Sequence, residues 1–245
     1  MVLHVTKPFA EPRYHLGIPG ALEDLEKYVQ EVIYGVHDYW VYDVSNPNRW
    51  SYTYHQKLFN YNYELPLITT YIPPTNQIEK VIEQLKECPY TRRAQAITWQ
   101  PWTDPDHIDP PCLQSLWFRV ENNKLNMNVR FRSNDLFKAA FMNMIALTEL
   151  QKMVANKVGV EVGEYLHISD SMHIYGKDIK DAEKMLTLIN SRKFDKRVFT
   201  TNMCAYSFWE GCKQLLEEEN MPQDKKLLVE QRLKYWENKY LENAN

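Results

Sequence analysis

Cys112 stands in the run DPPCLQ, directly behind two prolines and just ahead of a strand-like segment. Proline fixes its own φ and restricts the residue before it, so the thiol is carried on a stiff loop where a strand begins. A cysteine attacks as its thiolate, and a neighbouring arginine would favour that form. A buried, inert cysteine is the commoner fate of a single Cys. Arg92-Arg93 precede one strand-like run, and Arg132-Ser133 end another. Arginine forks match phosphate oxygens in bidentate fashion, and a serine hydroxyl adds a donor. Solvated surface charge is the plainer reading of any one arginine. His173 and Tyr175, two apart in SDSMHIY, share one face of a strand. Both could hydrogen-bond a sugar hydroxyl, or simply belong to a half-buried strand. Asp104, His107 and Asp109 read as a polar loop closed by prolines, not as a metal site.

These groups need a framework, and the hydrophobic pattern supplies one. Leu22, Leu25, Val29, Val32, Ile33 and Val36 follow helical spacing over 21–36. A tyrosine-rich stretch, SYTYHQKLFNYNY, leads to the turn signal Pro73-Pro74. Asn76 with Glu79 forms a capping box ahead of a helix marked by Ile78, Val81, Ile82 and Leu85 and stopped by Pro89. Segments 94–99, 115–121 and 124–132 read as strands. In the last, Leu125, Met127, Val129 and Phe131 alternate with polar residues, and Asn122-Asn123 closes a tight hairpin before it. A long helix is expected over 137–158, a strand over 164–175 and a helix over 178–191. A short strand near 197–201 and helices over 206–218 and 224–241 complete the chain. Strands and helices mix without strict alternation, so the class is α+β.

The bulk properties narrow the field. The 245 residues carry 44% hydrophobic and 25% charged side chains, ordinary for a globular protein. No internal repeat or Ser/Gly linker appears, so one domain spanning 1–245 is expected. A net charge of −3 argues against nucleic-acid binding, and any phosphate must be held locally by a few arginines. No apolar run suggests a membrane span and the start does not read as a signal peptide, which points to the cytoplasm. The four cysteines show no C-x-x-C spacing, so reduced thiols are expected and zinc is not.

Taken in order, YTRRAQAITWQP, PPCLQSLWFRV, RFRSNDLFKAAFMN and SDSMHIY resemble the thymidylate synthase and pyrimidine hydroxymethylase superfamily, with wording closest to the archaeal-type thymidylate synthases. The resemblance covers residues ~90–175, with gap lengths in register. It implies a thymidylate-synthase-like fold, with a large mixed sheet packed against helices and a sheet-mediated homodimer. It also implies C5 methylation of dUMP to dTMP, with 5,10-methylenetetrahydrofolate or a related methylene-tetrahydropterin as one-carbon donor. Cys112 matches the nucleophile that adds to C6 of the pyrimidine. Arg132 and Ser133 match phosphate ligands from the same subunit, and Arg92 and Arg93 the pair donated by the partner. Asn134 and Asp135 fall in the same substrate-binding run, Asp135 matching a residue that touches both the base region and the folate. Asn143 matches the amide that reads the O4 and N3 edge of uracil, and His173 and Tyr175 match ribose ligands. Tyr54 resembles the tyrosine near the nucleophile. Glu31 matches the proton-handling glutamate, although it lies almost opposite the apolar stripe of its helix, where solvated charge is an equally good reading.

The chain also departs from the family pattern. Leu113 follows the nucleophile where histidine is usual, Ala139 replaces a glycine, and Ser171 stands where an aspartate is expected unless Asp170 fills that role. A charged helix replaces a short apolar tail. A hydroxymethylase using the same adduct is therefore the alternative. Two other classes are a cysteine hydrolase built from Cys112, His173 and Asp170, and a non-catalytic nucleotide-binding subunit.

Overall fold

Two strands joined by a two-residue turn begin the sheet that organises the molecule. Asn122 and Asn123 both adopt positive φ, at 50° and 60°, the backbone that a tight hairpin turn demands and that asparagine tolerates. In this computed structural model, which describes residues 1–17, 19–42, 49–63 and 72–244, the strands in chain order are β1 (Val2–Val5), β2 (Tyr14–His15), β3 (Gln95–Ile97), β4 (Leu113–Glu121), β5 (Lys124–Asp135), β6 (Glu161–His173) and β7 (Val198–Phe199). Five form a mixed sheet in the order β1-β6-β5-β4-β3, and β2 pairs with β7 in a small ribbon. Among the described residues only β5 and β6 run parallel, and the helix between them provides the crossover that parallel strands require.

The helices are α1 (Leu22–Tyr34), α2 (Tyr39–Tyr42), α3 (Tyr54–Phe59), α4 (Gln77–Glu87), α5 (Ala140–Val158), α6 (Ile179–Asn190), α7 (Thr201–Leu216) and α8 (Gln223–Ala244). Alternation in β5 buries Leu125, Met127, Val129 and Phe131 completely, together with Leu116 and Phe118 of β4 and Tyr165 of β6. Against that face lie α4, through Ile78, Val81, Ile82 and Leu85, and α5, through Ala146, Leu150 and Val154. Each large side chain buried this way stabilises the fold by about 1.5–3 kcal/mol. Helix α1 packs on both α5 and α7. The opposite sheet face carries Trp117, Arg119, Asn126, Asn128 and Leu166, which line a shallow depression of about 390 Å³.

Most elements follow the pattern read from the sequence, and the differences have physical causes. Helix α1 ends at Tyr34 because Gly35 turns left-handed at φ 66° and its N–H caps the carbonyl of Glu31. The Asn76 side chain accepts from the Glu79 N–H at 2.9 Å, as the capping box requires. Strand β5 runs on past Arg132 to Asp135, because β6 pairs Ser133 with Ser171, Asn134 with Met172 and Asp135 with His173. Strand β6 in turn spans Glu161–His173, so Tyr175 lies beyond the strand rather than on it. Helix α7 begins earlier than expected, at Thr201, where the Thr200 hydroxyl accepts from the Met203 N–H. Strand β1 gave no signal in the sequence, being a short edge whose register is set by β6. Helix α3 was hidden in the tyrosine-rich stretch, where Thr53 caps it through the Gln56 N–H. Part of that stretch's continuation toward Pro73 lies outside the described residues. Among the described residues no helix is long and apolar enough to cross a membrane.

Candidate active site

Strand pairing brings Cys112 beside Arg132. Leu113 opposes Phe131, and the Arg132 N–H donates to the Cys112 carbonyl at 2.9 Å. The Arg132 guanidinium then folds over the proline loop, Nε donating to the Pro111 carbonyl at 3.0 Å and Nη2 to the Pro110 carbonyl at 2.7 Å. One side chain therefore both rigidifies the loop that carries the thiol and puts a positive charge next to it. The expectation that arginine would favour the thiolate holds in sign only. Burial raises the half-buried thiol, Arg132 opposes that, Asp109 adds to it, and the balance lies above the ordinary cysteine value.

A wall of tyrosines stands on the other side of the nucleophile. The Tyr54 hydroxyl, on the first residue of α3, accepts from the Leu113 N–H at 3.3 Å. Tyr52 lies against the backbone of Cys112 and the Tyr54 hydroxyl. Burial pushes Tyr28, Tyr52 and Tyr54 well above the usual phenol value, so each keeps its proton. These rings open onto a cleft of about 340 Å³ whose lining includes Tyr28, Glu31, Trp50, Tyr52, Tyr54 and Asp109.

Glu31 is only 6% exposed, which overturns the solvated-charge reading. Helix α1 is covered by more than one neighbour, so a residue off its apolar stripe is still enclosed. Its carboxylate meets His37 Nδ1 at 3.0 Å, and His37 Nε2 meets Glu218 at 3.2 Å. Burial disfavours the imidazolium, but Glu218 and Glu31 outweigh it and raise His37 to about 9. Burial likewise raises Glu31, with His37 working against the rise. His37 was missed in the sequence because one of its partners is 181 positions away. Tyr28 could have been found, since it lies three residues before Glu31 on the same helix face.

Asn143 sits in the first turns of α5, with its amide held at both ends. Tyr28 donates to its Oδ1 at 2.5 Å, and its Nδ2 donates to Asn134 Oδ1 at 3.2 Å. Asn134 is itself buried beneath Asn143 and bonded onward to His167, so its side chain supports Asn143 rather than facing the cleft. Asp135 turns its Oδ1 to the N–H groups of Phe137 and Lys138, shaping the approach to α5. Ser133 Oγ lies 3.5 Å from His173 Nδ1, and the His173 and Tyr175 rings meet edge-on at 4.7 Å. Arg132, Ser133, His173 and Tyr175 thus gather at one end of β5 and β6.

Arg92 and Arg93 do not join them. Both are exposed, in the loop between the Pro89 and Ala94 carbonyls, which accept from Val120 and Phe118 of β4. Gln95 pairs with Trp117, which sets Arg93 abreast of Arg119, roughly 20 Å along β4 from Cys112 at the usual rise per strand residue. Asp170 is likewise engaged elsewhere, gripping Arg130 with two contacts of 3.1 Å. It points away from the face that carries His173, so the Cys112–His173–Asp170 triad of a hydrolase is not assembled. Among the described residues no group of His, Cys, Asp and Glu is placed to hold a metal ion.

Comparison with known proteins gives a consistent result. The profile of a family described as "Thymidylate synthase" matches residues 33–203, leaving Tyr28, Glu31 and α8 outside the match. A Methanocaldococcus jannaschii protein named "Putative thymidylate synthase" is 40% identical over 156 residues, 62% of this chain and 63% of that protein. Proteins of the same name from Methanosarcina mazei and Methanosarcina acetivorans are 36% and 35% identical over 168 residues, covering 69% of this chain and 69% of each relative. This chain thus spans a little under two thirds of the Methanocaldococcus protein and slightly more of the other two.

Proposed function

Because this chain belongs to the thymidylate synthase family, we propose that it methylates dUMP at C5, giving dTMP, with Cys112 as the nucleophile. The observation that carries the reading is the joining of Cys112 and Arg132 at one end of the sheet, with Ser133 and His173 beside them.

The residues present supply a consistent chemistry. The Cys112 sulfur bonds to C6 of uracil, and the C5–C6 π electrons move onto O4 as an enolate. Arg132 favours the thiolate, and the Asn143 amide donates N–H to O4 while accepting from N3–H. Arg132 and Ser133 hold the 5′-phosphate, and His173 and Tyr175 hold the ribose. Asp135 orders the approach to α5 beside them. Because burial keeps the thiol protonated in the free chain, the nucleophile is generated as the nucleotide binds. Glu31, itself raised by burial, handles protons at the ring beside the Tyr54 hydroxyl. The C5 proton is lost after C5 has bonded the one-carbon unit, and the C5–C6 double bond returns when a hydride reaches that carbon and the Cys112–C6 bond breaks to release the thiolate.

A methylene-tetrahydropterin would supply the one-carbon unit as an electrophile and, being left as a dihydropterin, the hydride that takes it to a methyl group. The donor set fits such a group, since Trp50 and Tyr52 give the cleft flat walls and Glu31 and Asp109 give it carboxylates that match an aminopyrimidinone edge.

The position of Arg92 and Arg93 supports a shared site in a homodimer. At roughly 20 Å along the strand from Cys112, the pair serves a neighbouring subunit's phosphate, and the half-exposed sheet face around Trp117 and Asn128 provides the surface for that neighbour.

Mass spectrometry of the product formed from dUMP and a methylene-tetrahydropterin tests the reading. Gain of a methyl group is expected. Gain of a hydroxymethyl group would instead mean that water completes the same adduct, and recovery of unchanged dUMP would overturn the assignment.

A further inference from the structure

A chain of five buried or half-buried side chains runs inward from the cleft. Tyr28 Oη donates to Asn143 Oδ1 at 2.5 Å, Asn143 Nδ2 to Asn134 Oδ1 at 3.2 Å, and Asn134 Nδ2 meets His167 Nε2 at 3.0 Å. His167 Nδ1 then meets the Tyr165 hydroxyl at 2.9 Å. Asn134 is 3% exposed, while His167 and Tyr165 are fully enclosed, with the imidazole stacked on Phe131 at 5.0 Å. Among the described residues no carboxylate is bonded to His167, and burial, aided by the chain's amino terminus, lowers it to about 4. The ring is therefore neutral and carries one proton, so it can accept at one nitrogen only by donating at the other.

That constraint ties the sense of each contact to that of the next. If Asn134 donates to Nε2, the proton must be on Nδ1 and point at Tyr165. Asn134 then offers its carbonyl to Asn143, whose amino group faces Asn134 and whose carbonyl faces Tyr28. Turning the Asn143 amide over would set two carbonyl oxygens against each other at Asn134, whereas the Tyr28 hydroxyl could rotate and accept instead. It could be accommodated only if Asn134 turned as well and His167 changed tautomer.

The direction matters for the base. An amide offers a donor and an acceptor side by side, and a half-turn exchanges them. For one pose of a pyrimidine ring, one orientation matches the O4 acceptor and N3–H donor of uracil. The other matches the amino donor and N3 acceptor of cytosine. An asparagine free to turn would thus take either base.

We propose that Asn134, His167 and Tyr165 form an orientation lock that makes Asn143 selective for uracil over cytosine. These are positioning residues, and the inference rests on the reading of Asn143 as the side chain that meets the base.

Two measurements test it separately from that reading. The first is nitrogen NMR of the His167 ring in the nucleotide-free protein at neutral pH, assigned by its loss in a His167→Gln variant. A neutral ring protonated on Nδ1 is expected, and a proton on Nε2 would overturn the lock. The second compares dissociation constants for dUMP and dCMP in the natural protein, Asn134→Leu and Asn134→Asp. Leucine removes the acceptor that holds Asn143, and the preference for dUMP should fall by about tenfold or more. Aspartate keeps an acceptor there and should retain most of the preference. If Asn134→Leu does not fold, Asn134→Ala removes the same acceptor with less bulk and should show the same loss. A folded Asn134→Leu or Asn134→Ala protein with undiminished preference would overturn the proposal. Equal binding of both nucleotides by the natural protein, with the Nδ1 proton in place, would instead overturn the base assignment and leave the relay without a role in selectivity.

Discussion

Glu31 and His37 face each other at 3.0 Å in a buried pocket, where the ring also reaches Glu218. The stacked indole of Trp40, 3.9 Å away, covers the ring. The Glu31 carboxylate is thus tied to the segment just beyond α7 through one imidazole. Folding raises His37 from 6.5 to about 9. A raised value means the stabilisation is fully present below the unfolded value and is lost as pH climbs through the folded one. Urea midpoints of the natural protein should therefore fall between pH 6.5 and about 9 more steeply than those of His37→Gln. Parallel curves would contradict the assignment.

Arg232 of α8 grips Glu26 of α1 with contacts of 2.7 and 3.2 Å, and Glu26 is 2% exposed. Removing one partner of a buried pair strands the other charge, which costs about 3–5 kcal/mol. Arg232→Ala should lose stability on that scale by urea denaturation, and adding Glu26→Leu should restore part of it. A strictly additive double variant would show that the two groups are not coupled.

If Arg92 and Arg93 complete the phosphate site of a partner, inactive parents should rescue each other. Mixing Arg93→Ala with Cys112→Ser under conditions of subunit exchange should recover activity, because one kind of hybrid site has both groups intact. No recovery despite demonstrated exchange would remove the shared site.

What could be read from the sequence depended on how local the cause was. The alternation of Leu125 to Phe131, the Asn122-Asn123 turn and the Asn76 cap are determined by neighbours along the chain, and all three are present. Strand β1 and the burial of Glu31 depend on partners far away in sequence, β6 for the one and the helices around α1 for the other. The meeting of Cys112 and Arg132 follows from the Asn122-Asn123 hairpin, whose register sets Ser115 against Arg130 and, past a bulge, Leu113 against Phe131, although the bulge itself left no mark in the sequence. The relay was hidden because its members come from distant segments. Tyr28 and Asn143 are 115 positions apart and Asn134 and His167 are 33 apart, and the packing of α1 on α5 together with the parallel pairing of β5 with β6 draws them into line.

The central claim is that Cys112 adds to C6 and so activates C5. Release of tritium from C5-labelled dUMP reports that step directly, because the C5 hydrogen is lost only after the adduct forms. The natural protein with a methylene-tetrahydropterin should release tritium continuously. Cys112→Ser should release none while still binding dUMP, since a hydroxyl is a far weaker nucleophile at neutral pH. Release from Cys112→Ser at a rate within a few-fold of the natural protein would contradict the account.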